Sequence, residues 1–213
     1  MSTWTSKGAA LLVALTLSAC VEGMVPTGSA PRAIAVAGGA VVATGPAGYC
    51  VDRTAARDGG DGAFVLFGTC AALSGSAAAG QPGKPAVLTA SVAPAAADEA
   101  AFVASFPAMA RFFGSDAGRA ALSRAGRAAT VRVGAVSSRD GVLYVNVTDT
   151  AAGPGKAVQP DYWRAILLAR GHMVTLSVMS LADRPLSMAE KRGILDAFVA
   201  RVRAANSGPV AAG

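Results

Sequence analysis

The chain has 213 residues, a hydrophobic share of 53%, a mean hydropathy of +0.45 and a formal net charge of +6. That length suits one domain with a real core, and a single histidine argues against histidine-rich metal sites and most histidine-based catalysis. Much of the hydrophobic share is alanine, and past the N-terminal segment no apolar run approaches the roughly 20 residues of a spanning helix.

Lys7 and the amino terminus make a positive start, and Gly8–Leu17 an apolar run of about ten residues. The small residues Ser18 and Ala19 then lead directly to Cys20. These are the three parts of a secretory signal. The run is too short for a stop-transfer helix. Leu17-Ser18-Ala19-Cys20 resembles the lipobox of bacterial lipoproteins, with an ordinary cleaved signal and a chance cysteine as the alternative. The resemblance implies cleavage before Cys20, a thioether-linked diacylglycerol on its sulfur and often an acylated new amino group, palmitate being a typical chain. Two acyl chains anchor stably, at about 0.8 kcal/mol per buried methylene. Val21, rather than Asp, follows the cysteine. By the enteric sorting rule this favours the outer over the inner membrane, facing the periplasm.

Residues 1–19 thus read as the signal and 20–32 as a lipidated, Pro/Gly-rich tether. Residues 33–206 read as one domain and 207–213 as a disordered tail. Ala33–Val36 and Val41–Thr44 flank a Gly38-Gly39 turn, the form of a hairpin. Tyr49–Asp52 and Ala63–Phe67 are short strands on either side of the turn cluster Asp58–Gly62. Gly68, Thr69 and Cys70 end the second of them, and Ser74–Pro85 reads as a loop. With Cys20 lipidated, Cys50 and Cys70 are an even pair in an oxidising compartment and predict a disulfide, with buried free thiols as the alternative.

Ala86–Val92 predicts a strand, and Ala96–Ser105 a helix that stops before Pro107. Phe102, Phe106, Met109 and Phe113 recur at near-helical spacing and face a core, and Ser115 caps a further short helix. Thr130–Val136 and Val142–Thr148 make a hairpin about Asp140-Gly141, with Leu143, Val145 and Val147 on one face. Ala151–Pro160 is a loop. Asp161–Leu168 and His172–Ser180 form another hairpin, in which Val174, Leu176 and Val178 point inward. Ser187–Glu190 has the capping-box form, and Ile194, Leu195, Phe198, Val199 and Val202 share one face of the closing helix.

The fold class is therefore α+β: an antiparallel sheet of short hairpin strands flanked by two or three helices, the last an amphipathic C-terminal helix. The order of elements resembles the Mog1/PsbP-like arrangement. Gly48–Asp52 and Ala63–Cys70 resemble segments of uncharacterised alphaproteobacterial envelope lipoproteins, a resemblance that brings no activity with it.

Several stretches invite a chemical reading. Gly153–Ala157 and Gly80–Pro85 lack both the first glycine and the Ser/Thr of a phosphate loop. Asp58–Gly62 lacks the remaining ligands of a calcium loop. His172 has no Gly-x-Ser-x-Gly partner motif, and no Ser-x-x-Lys occurs. Asp98 with Glu99 reads as a helix start, and Asp161 with Asp183 as an unproven acid pair. Asn146–Thr148 matches a glycosylation acceptor but falls in a strand. Tyr162 and Trp163 point to opposite sides of a strand, so one of them, with Tyr144, is a candidate exposed aromatic patch. Arg111, Arg119, Arg124, Arg127 and Arg132 form the densest basic run, a candidate anion site. No cofactor, metal or catalytic constellation is read.

The expected function is a membrane-anchored, non-enzymatic envelope lipoprotein, a binding or assembly module. Its expected partners are the bilayer, through acylated Cys20, and an anionic envelope polymer or an envelope protein. Nucleic acid is not expected. The alternatives are an envelope enzyme of hydrolase type and a purely structural lipoprotein.

Overall fold

Alternating residues build the strands, and short Gly-containing turns join most of them as antiparallel neighbours. In the computed structural model, which describes residues 29–95, 98–151 and 157–208, the described residues form two antiparallel sheets. The signal segment, Cys20, most of the tether and residues 209–213 lie outside the described residues. No helix of the described residues is long and apolar enough to cross a membrane.

The smaller sheet is the hairpin of β1 (Ala33–Val36) and β2 (Val41–Thr44). The larger contains β3 (Tyr49–Gly59), β4 (Gly62–Thr69), β5 (Ala86–Ala95), β6 (Val131–Arg139), β7 (Val142–Asp149), β8 (Val158–Ala169) and β9 (His172–Leu181). Its order is β3-β4-β5-β9-β8-β7-β6, so the early and late strands meet at β5 and β9. Both edge strands carry a register shift, between Asp52 and Arg57 in β3 and between Val133 and Val136 in β6. Such irregularities blunt an edge against pairing with another chain.

The helices are α1 (Cys70–Ser74), α2 (Glu99–Ala104), α3 (Phe106–Gly114), α4 (Asp116–Leu122) and α5 (Met188–Asn206). The α+β class and the closing helix are as expected, but the described residues form five α-helices rather than two or three, β8 begins at Val158 within the expected loop, and three further local elements differ. Pro107 opens α3 rather than stopping the preceding helix. In a first turn its missing N–H has no intrahelical acceptor to lose. Helix α1 occupies a stretch read as the end of a strand and the start of a loop. The Thr69 hydroxyl caps it by accepting from Ala72 N at 3.2 Å, and Gly75 closes it at φ 66°. Strand β3 runs on through polar residues to Gly59, because the turn at Gly60 and Asp61 keeps it paired with β4.

Helix α5 covers one face of the large sheet. Ser187 and Glu190 complete the capping box in both directions. Leu195, Phe198, Val199 and Val202 are buried against Val142, Tyr144, Ala165, Leu167, Val174, Leu176 and Val178. Each such side chain contributes about 2 kcal/mol. Phe198 meets Phe67 edge-on, with centroids 5.3 Å apart. At the helix end, the Asn206 amide accepts from Val42 N and donates to Val42 O, both at 2.9 Å, which locks β2 beside α5. Lys191, fully buried on the same helix, pairs with the Asp161 carboxylate and donates to the Asp161 carbonyl at 3.1 Å.

Helices α2 to α4 cover part of the opposite face. Phe102, Phe106, Phe113 and Leu122 pack on Val131, Leu143, Val145, Val147, Tyr162 and Ile166, which all belong to β6, β7 and β8. Met109 is half-buried beside them. Leu143, Val145 and Val147 thus share a face as expected, but Tyr144 on the other face is buried as well. The expected disulfide joins Cys50 to Cys70 and ties the start of β3 to the start of α1, both residues being buried.

Candidate anion-binding cleft

The helical layer packs mainly on β6, β7 and β8 and only partly on the same face of β9, where Met173 and Met179 meet it, and strand alternation determines which side chains of β4, β5 and β9 lie on that face. In β5, Leu88, Ala90 and Val92 join the core under α5, so Thr89 and Ser91 point the other way. In β9, Val174, Leu176 and Val178 do the same and leave Thr175 and Ser177 opposite. In β8, Ala165 and Leu167 face α5, and Tyr162 and Arg164 face away. The register then sets these side chains in rows. Thr89 lies opposite Ser177 and Ser177 opposite Arg164, while Phe64 lies opposite Ser91 and Ser91 opposite Thr175. Ala121 of α4, Arg124 just beyond it and Met179 complete a cleft of about 470 Å³.

Two guanidinium groups flank its aromatic floor. Arg164 lies 5.4 Å from the centroid of the Tyr162 ring and Arg124 5.9 Å from it, both within cation–π range. The Tyr162 hydroxyl donates to the Leu122 carbonyl at 2.6 Å and so holds the end of α4 to the sheet. Burial pushes its phenol above the ordinary value, against the opposing pull of Arg164, so the ring stays neutral at physiological pH. Arg164 donates from Nε to Ser177 Oγ at 3.2 Å.

Arg124 is held in place by Asp149, a fully buried carboxylate at the end of β7. Burial alone would raise the Asp149 pKa. It is nevertheless lowered, because the carboxylate accepts from Arg124 N at 2.7 Å, Ala151 N at 2.9 Å and Thr130 Oγ1 at 2.8 Å, with the Arg124 guanidinium beside it. Arg124 Nε stands 3.5 Å from Asp149 Oδ2, and its terminal nitrogen donates to the carbonyls of Asp149 at 3.1 Å and Pro160 at 3.5 Å. The cleft thus has two fixed positive groups, one of them balanced from behind by Asp149.

Of the five arginines singled out by their density along the chain, Arg124 alone lines this cleft. Arg119 and Arg132 line a different depression, beside Ala128 and Ala129, and Arg119 is already engaged by Asp116 and by the Gly114 carbonyl at 2.7 Å. Arg111 and Arg127 are exposed and line neither. The five do not form one site, because loops and the turns of α3 and α4 send neighbours in sequence in different directions. Sequence reasoning missed Arg164. Its signal was a lone charge between Tyr162 and Ile166 on a strand face, with Thr/Ser pairs at the same alternation in β5 and β9.

The other expected features take structural roles. Tyr144 and Tyr162 are buried, and Trp163 donates from Nε1 to the Met188 carbonyl at 3.0 Å beneath Arg192, whose guanidinium lies 3.6 Å from the Tyr144 centroid. The expected aromatic patch is therefore roofed by α5 rather than exposed. Asp98 caps α2 by accepting from Ala101 N at 2.9 Å, and Asp58 accepts from Ala37 N at 3.0 Å. His172 Nδ1 contacts the Ala93 carbonyl at 3.2 Å. Asp161 pairs with Lys191, and Asp183 approaches Arg184 at 4.0 Å. Residues 153–156 of one supposed phosphate loop lie outside the described residues. The other loop, Gly80–Pro85, borders an open depression of about 690 Å³ beside α5, which the Lys84–Glu190 pair spans at 3.1 Å. Among the described residues no group of three or more His, Cys, Asp or Glu side chains could hold a metal ion. The chain matches no family model, no curated protein and no solved structure.

Proposed function

We propose that this chain is a lipid-anchored binding module of the bacterial cell envelope, held at Cys20 and facing the periplasm, with the open sheet face as its ligand site. The anchor rests on Leu17-Ser18-Ala19-Cys20 and the short apolar run before it. The Cys50–Cys70 bridge is in keeping with an oxidising compartment. The binding role rests on the cleft, a polar and arginine-bearing concavity beside the part of the sheet that α2 to α4 cover. Concave sites with a few convergent polar groups are where small ligands bind.

Anchoring is tested by fractionation. The wild-type protein is expected in the membrane fraction, labelled by palmitate, and Cys20→Ala in the soluble fraction without label. Retention of Cys20→Ala on membranes would refute the anchor.

A further inference from the structure

We propose that the cleft binds a small monoanionic molecule, a carboxylate or phosphodiester group on a compact apolar body, with Arg164 gripping the oxyanion. The proposal rests on the reading of this chain as a binding module and names the ligand class of the same cleft.

Arg164 carries the argument. Its Nε is engaged by Ser177 and its guanidinium lies over the Tyr162 ring, yet its terminal nitrogens donate no hydrogen bond to, and form no ion pair with, the described residues. A guanidinium is charged at every relevant pH, and its planar fork matches the two oxygens of a carboxylate or a phosphodiester. The Ser177 bond sets the plane of that fork before any ligand arrives. Arg124, by contrast, is spent on Asp149 and two carbonyls, so it contributes a fixed wall and little free charge. Arg164 plus the neutralised Arg124–Asp149 pair leaves a net charge near +1, which a single negative charge would balance.

The surroundings specify the rest of the ligand. Hydroxyls of Ser91 and Thr175 lie one row along the sheet from Arg164 and can donate to oxygens that the fork leaves over. Phe64, in the row of Ser91 and Thr175, and Met179 and the Tyr162 ring, in the row on the other side of Arg164, add apolar surface for the organic body. A volume of about 470 Å³ lies within the usual range of small-molecule sites.

The test uses the full-length protein in detergent, titrated calorimetrically with benzoate and dimethyl phosphate. Their uncharged counterparts, benzamide and trimethyl phosphate, are titrated in parallel. At least one anion is expected to bind at least ~10-fold more tightly than its neutral counterpart. Arg164→Gln should weaken that binding by ~10-fold or more, since removing a charge-assisted bidentate contact costs at least that. Arg164→Lys keeps the charge and much of the packing but loses the fork, and should weaken it nearly as much. Arg111→Gln, a change on the exposed surface of α3, should leave it unaltered. Equal binding of each anion and its neutral counterpart, in both pairs, would overturn the anion while leaving the cleft a ligand site. No binding of either anion, or unchanged affinity in both Arg164 variants, would overturn the proposal, whatever fractionation shows for Cys20.

Discussion

Replacing Asp149 by alanine is expected to destabilise the protein by about 3 kcal/mol. The carboxylate is fully buried and accepts from the backbone N–H groups of Arg124 and Ala151 at 2.7 and 2.9 Å. Its loss removes the acceptor from the part-buried Arg124 N–H and the buried Ala151 N–H, and each lost bond to a charged acceptor costs roughly 1.5–3 kcal/mol. Removal of the desolvation penalty on the charge offsets part of that sum. Thr130 loses less, because its hydroxyl also reaches the Arg127 carbonyl at 2.9 Å. For a chain of this size about 3 kcal/mol lowers the melting temperature by about 6–12 °C, measured by calorimetry. The effect also depends on pH. Hydrogen bonds and Arg124 hold the Asp149 pKa below its unfolded value near 3.8. Its contribution is therefore complete above that value and is lost as pH falls below it through the folded value. Asp149→Asn keeps one acceptor oxygen but does not titrate, so the stability gap between it and the wild type should narrow below about pH 4. A loss under about 0.5 kcal/mol for Asp149→Ala, or a gap that stays constant with pH, would refute this account of the carboxylate.

Two further predictions concern the scaffold. Removing the bridge with Cys50→Ala and Cys70→Ala should cost about 3 kcal/mol in urea unfolding, since it frees a loop whose ends are 20 residues apart; a loss under about 1 kcal/mol would show that the bridge constrains little. Gly118→Ala would place a methyl carbon 1.9 Å from the Phe112 carbonyl oxygen and push α4 off the end of α3, at a cost of about 3 kcal/mol. Gly193→Ala, in the open interior of α5, should stabilise by about 0.5–1 kcal/mol and serves as the control, and equal effects at the two glycines would contradict the close approach at Gly118.

The fold was legible wherever local rules agree with the tertiary structure. Asp140-Gly141 marks the β6–β7 turn, and Ser187 with Glu190 marks the start of α5. Val174, Leu176 and Val178 identify the inward face of β9. Local rules misled at Pro107, because a proline stop and a proline start carry the same residue, and only the conformation of Ser105, at φ −78° and ψ −12°, distinguishes them. They also misled at Tyr144, whose place beside polar Asn146 and Thr148 suggested a solvated face. Burial on both sides of a strand depends on a helix that arrives some 40 residues later in the chain.

The site was legible in its materials and not in its assembly. Composition specifies a basic chain, and strand alternation assigns Thr89, Ser91, Arg164, Thr175 and Ser177 each to one side of its own strand. Those are local properties, carried by residues within a few positions of one another. Which sides become the same surface depends on β5 pairing with β9, a contact between strands separated by more than 70 residues. Which part of that surface stays open depends on how far α2 to α4 reach across it. Arginine density along the chain therefore pointed to Arg111 through Arg132. Long-range pairing instead joined Arg124 to Arg164, because strand register and helix packing are set by the burial of whole faces and not by any short run of residues.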